Sequence, residues 1–339
     1  MKHLLLVLAL MPMMAFSGYP DLTKTWPSNR IAVCFEEIKP GLIAGGRNLY
    51  QEARDAVTNS WQANSGLSFY GWGKCSANAQ GIRVRIVSDS PFPDQEDIIL
   101  IGDSQVNALG FDINGKKAGL ELYVERQCAA ENEDGYDPKT CWKYVVIHEF
   151  GHALGFAHEH NRSEKHCSDK VEQGPDGSIY FGDYDRTSVM NYCSSKSRRT
   201  VSLSAGDKRM VSWIYRSYPF TNQNIIDNYY YHFTGKFPSV NDSGYVYWQG
   251  ELASRGCNEN TLRDIIWTFV NHGYTLDDNK ARFVSAMYQA AFNRDLTAKE
   301  KDDPYWVKEM IKGATRADVA YALLHSEEFT QVSQKICGQ

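Results

Sequence analysis

No Cys-x-x-Cys pair occurs anywhere in this chain of 339 residues, which removes the commonest cysteine-borne zinc and redox motifs. No apolar run beyond Phe16 is long enough to span a bilayer, which takes about 20 residues. Positive charge is in deficit, with 36 Lys and Arg against 41 Asp and Glu. A net charge of −5 argues against a general nucleic-acid binder. No EF-hand calcium loop is present either. What remains is an ordinary globular composition, 42% hydrophobic and 23% charged, at a length that suggests about two domains.

The amino terminus reads as an export signal, residues 1–17. Lys2 and His3 give it a positive start, Leu4 to Phe16 an apolar core, and Ala15 and Ser17 the small residues of a cleavage site after Ser17. A membrane anchor is the competing reading, and the run is short for one. Eight cysteines, Cys34, Cys75, Cys128, Cys141, Cys167, Cys193, Cys257 and Cys337, fit an oxidising compartment and up to four disulfides. Their spacing does not give the pairing.

Local patterns place the elements. Residues 28–37, 67–73, 81–90 and 119–125 read as strands. Residues 48–66 carry apolar groups at helical spacing, closed by Gly66. Residues 141–156 read as a long apolar-sided helix, and 202–218 as another, capped by Ser202 or Ser204. Residues 174–193 look like loops. Strands alternating with long helices suggest helices packed on a twisted sheet. Beyond Pro219 the chain repeats itself at a shift of 58. Tyr229-Tyr230 superposes on Met287-Tyr288, Tyr247-Trp248 on Tyr305-Trp306, and Glu251-Leu252 on Glu309-Met310. After an insertion in the first copy, Arg263, Ile265 and Phe269 match Arg316, Val319 and Leu323. A fixed period signals repeated units, here small helical bundles at 222–276 and 280–335.

Chemistry concentrates in "HEFGHALGFAHEHNR" at 148–162, which holds four of the nine histidines. His148 and His152 lie four apart and project from one face of a helix. Two stacked imidazoles can share a zinc ion, which prefers tetrahedral N, O or S ligands. Glu149 is placed to act on a water at the metal without ligating it. Zinc acidifies such a water and the carboxylate takes its proton. Gly155 can adopt positive φ and end the helix sharply, turning His158 back as third ligand and leaving the fourth position for water and substrate. His160, two residues past the last ligand, is expected to face outward. The pattern His-Glu-x-x-His-x-x-Gly-x-x-His is the metzincin signature. A solvated helix face is the bland alternative, but it explains neither the Gly nor the apolar "YVVI" and "ALGF" around the histidines. Met190, in "SVMNY" at 188–192, fits the methionine turn that lies beneath the metal in such sites.

With these residues in view, the chain resembles the astacin family of metzincin zinc endopeptidases over about 24–220. Glu159 after the third histidine, Tyr192 after the Met turn, "HEHNR", "TWPSNRIAVCF" and "LSAGDKRMVSWIY" carry the likeness. It implies an α+β, zincin-like catalytic domain at 18–220, with a mostly parallel twisted sheet and a long zinc-binding helix. An all-α C-terminal module follows it. It also implies one catalytic Zn2+ on His148, His152 and His158, and Glu149 as general base. Tyr192 is implied as a zinc neighbour that turns to stabilise the oxyanion, and Cys128–Cys141 as a disulfide. Glu159 would pair with the trimmed amino terminus, here Gly18. Asn191 departs from the family, where His often precedes the Tyr. Only a few residues separate the expected cleavage site from "TWPSNR", which leaves no room for a long propeptide. The tail resembles a helical repeat of unknown function found in secreted bacterial proteins, through "RFVSAMYQAAFNRDL", "YWVKEMIKG" and "LLHSEEF".

The sequence reading is therefore an exported, secreted or periplasmic metalloendopeptidase from a bacterial source. It acts on protein or peptide substrates, with a cell-surface or envelope component as a candidate ligand for the tail. The rival is a non-catalytic binding protein with a structural zinc, for which Glu149 would have no use. Lys196, Arg198 and Arg199 could wall the pocket for the residue after the scissile bond and favour an acidic side chain there, or they are a solvated turn. The Asp/Gly turns at 133–138 and 174–187 could bind Ca2+, or they are plain surface turns. Peptide-library profiling separates the first pair of readings: a basic pocket predicts acidic enrichment just after the cleaved bond, and a solvated turn predicts none.

Overall fold

The computed structural model describes residues 17–40, 47–87, 104–123, 138–163, 172–193, 201–272 and 279–339. The signal segment up to residue 16, Cys128, and the Lys196, Arg198 and Arg199 cluster lie outside the described residues. The short strand β1 (Ser17–Gly18) pairs antiparallel with β7 (Phe181–Gly182).

The main sheet holds β2 (Arg30–Phe35), β3 (Ser68–Lys74), β4 (Ile82–Val87), β5 (Gln105–Val106) and β6 (Leu120–Tyr123) in the order β3-β2-β4-β6-β5. Every pairing is parallel except β5 with β6. Alternation sets the face: Ile31, Val33 and Phe35 of β2 are buried while the residues between them are less so. Helix α1 (Leu49–Thr58) makes the crossover from β2 to β3 and is capped by Asn48, whose side chain accepts from Gln51 N. It stops short of the span expected from periodicity. The Ser60 hydroxyl folds back onto the Ala56 carbonyl at 2.6 Å, and only a 3₁₀ turn, Gln62–Asn64, follows. An α+β fold with a mostly parallel sheet is thus present.

Helix α2 (Pro138–Ala153) packs against α1 and β6. Trp142, Val146, Ile147, Phe150 and Ala153 are all buried. A helix apolar on most sides belongs inside a core, and this one carries the first two histidines of the motif. Its end explains why it stops three residues before the end of the 141–156 span expected. Gly155 sits at φ +97. Phe156 N donates to Gly151 O at 3.0 Å and Gly155 N to His152 O at 2.9 Å, the paired bonds of a Schellman stop. The next carbonyls, orphaned at a helix end, are met from both ends of the N-terminal half. The Trp26 indole donates to Ala153 O at 2.7 Å and the Tyr215 hydroxyl to Leu154 O at 2.7 Å.

Helix α3 (Ala205–Ile214) begins at Ser204 with a reciprocal capping box to Asp207, inside the longer span expected. Among the described residues, eight helices follow. They are α4 (Asn222–Thr234), α5 (Ser243–Arg255), α6 (Glu259–Asn271), α7 (Lys280–Phe292), α8 (Ala298–Asp302), α9 (Tyr305–Ile311), α10 (Arg316–Leu324) and α11 (Glu327–Cys337). Helices α4 and α7 start and end 58 residues apart. Side chains from all of α4–α7 and α9–α11 fill one common core, including Ile226, Phe269, Met287, Val319 and Phe329. The two helical sets therefore do not have separate cores.

The tail is fastened to the N-terminal half by a buried ion pair. Arg209 of α3 and Asp227 of α4 are both fully enclosed. Arg209 Nε donates to Asp227 Oδ2 at 2.8 Å and its Nη2 to Pro238 O at 3.2 Å. Beside the pair, Phe237 packs on Phe181 (ring centroids 4.0 Å) and Trp213 (4.8 Å), joining the core of the N-terminal half. Cys34–Cys75 ties the ends of β2 and β3, and Cys257–Cys337 ties the start of α6 to the end of α11. Cys141 and Cys193 are disulfide-bonded as well. The expected Cys128 partner of Cys141 lies outside the described residues.

Breaking a buried pair from one side strands the other charge. Asp227→Ala should cost about 3–5 kcal/mol in urea unfolding. The double change Arg209→Met with Asp227→Leu should recover most of that loss, since it strands no charge.

Candidate metal centre

His148 and His152 stand one turn apart on α2, and His158 returns after the Gly155 turn. The structure brings all three rings to one point. His148 Nε2 lies 3.3 Å and His152 Nε2 3.1 Å from His158 Nε2. The three rings are the group of potential ligands found among the described residues. Four tetrahedral donors at zinc–nitrogen distances of about 2.0–2.1 Å sit about 3.3 Å apart, so the spacing is that of a ligand set.

The other ring nitrogens fix the tautomer. Nδ1 of His148 lies 2.8 Å from Val189 O, that of His152 2.7 Å from Phe156 O, and that of His158 2.7 Å from Gln173 O. A carbonyl can only accept, so each Nδ1 carries the proton and each neutral ring turns an Nε2 lone pair inward. Three lone pairs facing one another repel unless a cation lies between them. The donor set fits zinc, with its outer hydrogen bonds in place. Desolvation, then the neighbouring His158 and His148 rings, hold His152 well below the usual imidazole range. Burial lowers His158 too.

The remaining residues assemble around this point. Tyr192 brings its hydroxyl to 2.9 Å from His148 Nε2. Glu149 is buried on α2 beside His148. Met190 is buried under the helix at Gly151, where an added Cβ would come 2.4 Å from its sulfur. Glu159 is fully buried, paired with Arg162 at 3.2 Å and accepting from Asp185 N at 2.9 Å. Arg162 also donates to Gly182 O (2.7 Å) and Gly18 O (3.4 Å), so Gly18 lies at the same cluster. His160 does not face outward as expected. It is fully buried, its ring against Tyr192 and His158, because a 3₁₀ turn at Glu159–Asn161 folds it beneath the third ligand. Asn191 donates to the Tyr184 hydroxyl (2.9 Å) and Asp185 O (2.8 Å) and accepts from Cys193 N (2.8 Å), bracing the Met turn.

The sequence reading missed two residues. Gly151 occupies a free position of the motif, and the close approach of Met190 and Trp61 explains it. Asp207, the partner of the Ser204 cap, reaches beyond its own helix. One oxygen accepts from the Ser188 hydroxyl at 2.7 Å, and the other from Val189 N at 2.9 Å and Ser204 N at 3.0 Å. It therefore holds the residue whose carbonyl orients His148. Burial and the nearby Asp185 push its carboxyl up to about 6, against the pull of these donors.

A stretch of 145 residues is 30% identical to zinc metalloproteinase nas-3 of Caenorhabditis elegans, over 38% of this chain and 45% of that protein. The resemblance to astacin-type zinc metalloproteinases stands. This chain spans less than half the length of that relative. Residues 267–332 match a family model described as a domain of unknown function, DUF4214, so the astacin-like half is followed by such a domain. Two solved structures, titled "Structure of myroilysin" and "Crystal structure of myroilysin", match at 19% identity. Each covers 59% of this chain, and they are covered over 99% and 89% of their own lengths, with TM-scores of 0.39 and 0.35. At those scores the overlap is loose. No helix of the described residues is long and apolar enough to cross a membrane.

Two measurements bear on the centre. Asp207→Ala should weaken zinc binding about 10–100-fold, the usual effect of removing a ligand's outer support, in competition with a chromogenic chelator. His152 and His158 bind protons less readily folded than unfolded. Below the ordinary imidazole value of 6.5 the unfolded chain therefore takes up more protons. The metal-free protein should lose stability as pH falls through that value, seen as falling melting temperatures.

Proposed function

We propose that the chain is an exported zinc-dependent metalloendopeptidase that hydrolyses peptide bonds within proteins. The convergence of three Nε2 lone pairs, each aimed by an Nδ1 bond to a carbonyl, carries the reading, and the likeness to a zinc metalloproteinase supports it. His148, His152 and His158 would hold a zinc ion, whose Lewis-acid chemistry would acidify a water and polarise a peptide carbonyl. Glu149 takes the proton of the attacking water and returns it to the leaving amine. The Tyr192 hydroxyl donates to the oxyanion developing on the substrate carbonyl, a contribution of about 3–4 kcal/mol for a well-aimed donor. Met190 forms the floor under the ligands.

In this reading the catalytic part runs over 18–220, and the helical segments at 222–276 and 280–335 dock it on a cell-surface or envelope component. Removal of the segment through Ser17 places a new amino group at Gly18, beside Glu159 and Arg162. That amino group completes the buried cluster beneath the third ligand. A form extended by one residue should be less active than one starting at Gly18, and equal activity would count against the pairing.

Casein cleavage by three samples tests the mechanism: wild type, wild type with chelator, and Glu149→Ala. The substitution should lower turnover by about 10²–10⁴-fold with zinc still bound, and the chelator should abolish activity until zinc is restored. Cleavage that survives both treatments would sink the mechanism. Zinc retained by a wild type that cleaves nothing would favour a binding protein.

A further inference from the structure

The tail contains a concave site that shares no residue with the metal centre. A cavity of about 270 Å³ opens between α4, α5 and α6. Tyr230, Tyr247, Trp248 and Phe269 supply aromatic walls, and Ser243 and His272 supply polar edges. No Lys, Arg, Asp or Glu lines it. A phosphate or carboxylate ligand calls for charged partners, so the occupant is neutral. Among the described residues, no hydrogen bond uses the Trp248 indole N–H or the Tyr247 and Ser243 hydroxyls. His272 Nδ1 faces the Thr268 carbonyl at 3.1 Å, which leaves its Nε2 as an acceptor.

Gly244 keeps the cavity open. A Cβ there would come 2.5 Å from the Tyr230 hydroxyl, which is held by Asp242 at 3.2 Å. The aromatic pair is repeated 58 residues on. Tyr247–Trp248 has ring centroids 4.8 Å apart at 71°, and Tyr305–Trp306 4.9 Å at 75°. Both tyrosines are more than half exposed. At the positions of Ser243 and Gly244, however, the second copy has Lys301 and Asp302. The small, neutral lining belongs to the first copy alone.

We propose that this cavity binds one hexopyranose unit of a neutral glycan. The C–H face of the sugar lies against the aromatic walls, and its hydroxyls use the indole N–H, the two hydroxyls and the imidazole acceptor. Aromatic faces edged by a few neutral polar groups match a molecule with an apolar face and a hydroxylated rim. A quaternary ammonium would use the rings but none of these polar groups. The proposal rests on the docking reading of the tail only for its setting, and names the chemistry of what is docked.

Calorimetric titration of the full chain with maltotriose, cellotriose and triacetylchitotriose tests it. Saturable binding of at least one is expected, weakened about tenfold or more by Tyr247→Ala and unchanged by Tyr305→Ala. Tyr247 is largely exposed, so its removal should leave the melting curve in place. Ser243→Tyr, which fills the cavity, should also abolish binding. Three flat titrations, binding indifferent to Tyr247→Ala and Ser243→Tyr, or phosphocholine binding in place of sugar would each overturn the proposal. Retention on isolated cell envelopes undiminished by Tyr247→Ala would overturn the sugar site while leaving a docking tail intact.

Discussion

Three hydrogen bonds from imidazole to backbone decide what this molecule can do. A histidine brought near two others is only a cluster. A histidine whose Nδ1 is committed to a carbonyl has one lone pair left and one direction for it. Val189, Phe156 and Gln173 supply those carbonyls, and they come from the Met turn, the residue after the Gly155 stop, and the loop after residue 171. The rest of the N-terminal half can be understood as what holds these three backbone atoms still.

Each has its own support. The Phe156 carbonyl is placed by the Schellman stop, whose neighbouring carbonyls are met by Trp26 and Tyr215. The Val189 carbonyl is placed by Asp207, which reaches from the first turn of α3. Helix α3 is placed in turn by the buried pair of Arg209 with Asp227 on the tail. The carboxylate that holds the Met turn and the guanidinium that holds the tail stand two positions apart, at Asp207 and Arg209. The helical tail is thus joined to the scaffold of the metal centre through one short helix.

Much of this was legible in the sequence. The histidine spacing, Gly155, the strands and the apolar course of α2 follow from periodicity and from what φ > 0 requires, which are local properties. The helix lengths were less legible. Periodicity ran on through Ser60 and past Ala153, but a hydroxyl folding back and a left-handed glycine ended the helices there. His160 was misplaced because a residue in an irregular turn has no periodicity to read. Gly151 and Asp207 went unrecognised because each is explained by a partner far along the chain, Met190 for one and Ser188 with Val189 for the other.

The sequence by itself determined the chemistry: which side chains could ligate a metal, which carboxylate stood beside them, and where the helix carrying them had to stop. These depend on residue type and short spacing, and a few turns of backbone are enough to express them. The tertiary structure decided the orientation of each ring, the burial of Glu159 and His160, and the joining of the tail to the metal scaffold. Those depend on carbonyls, carboxylates and aromatic faces contributed from elsewhere in the chain, and only folding brings them within hydrogen-bond reach.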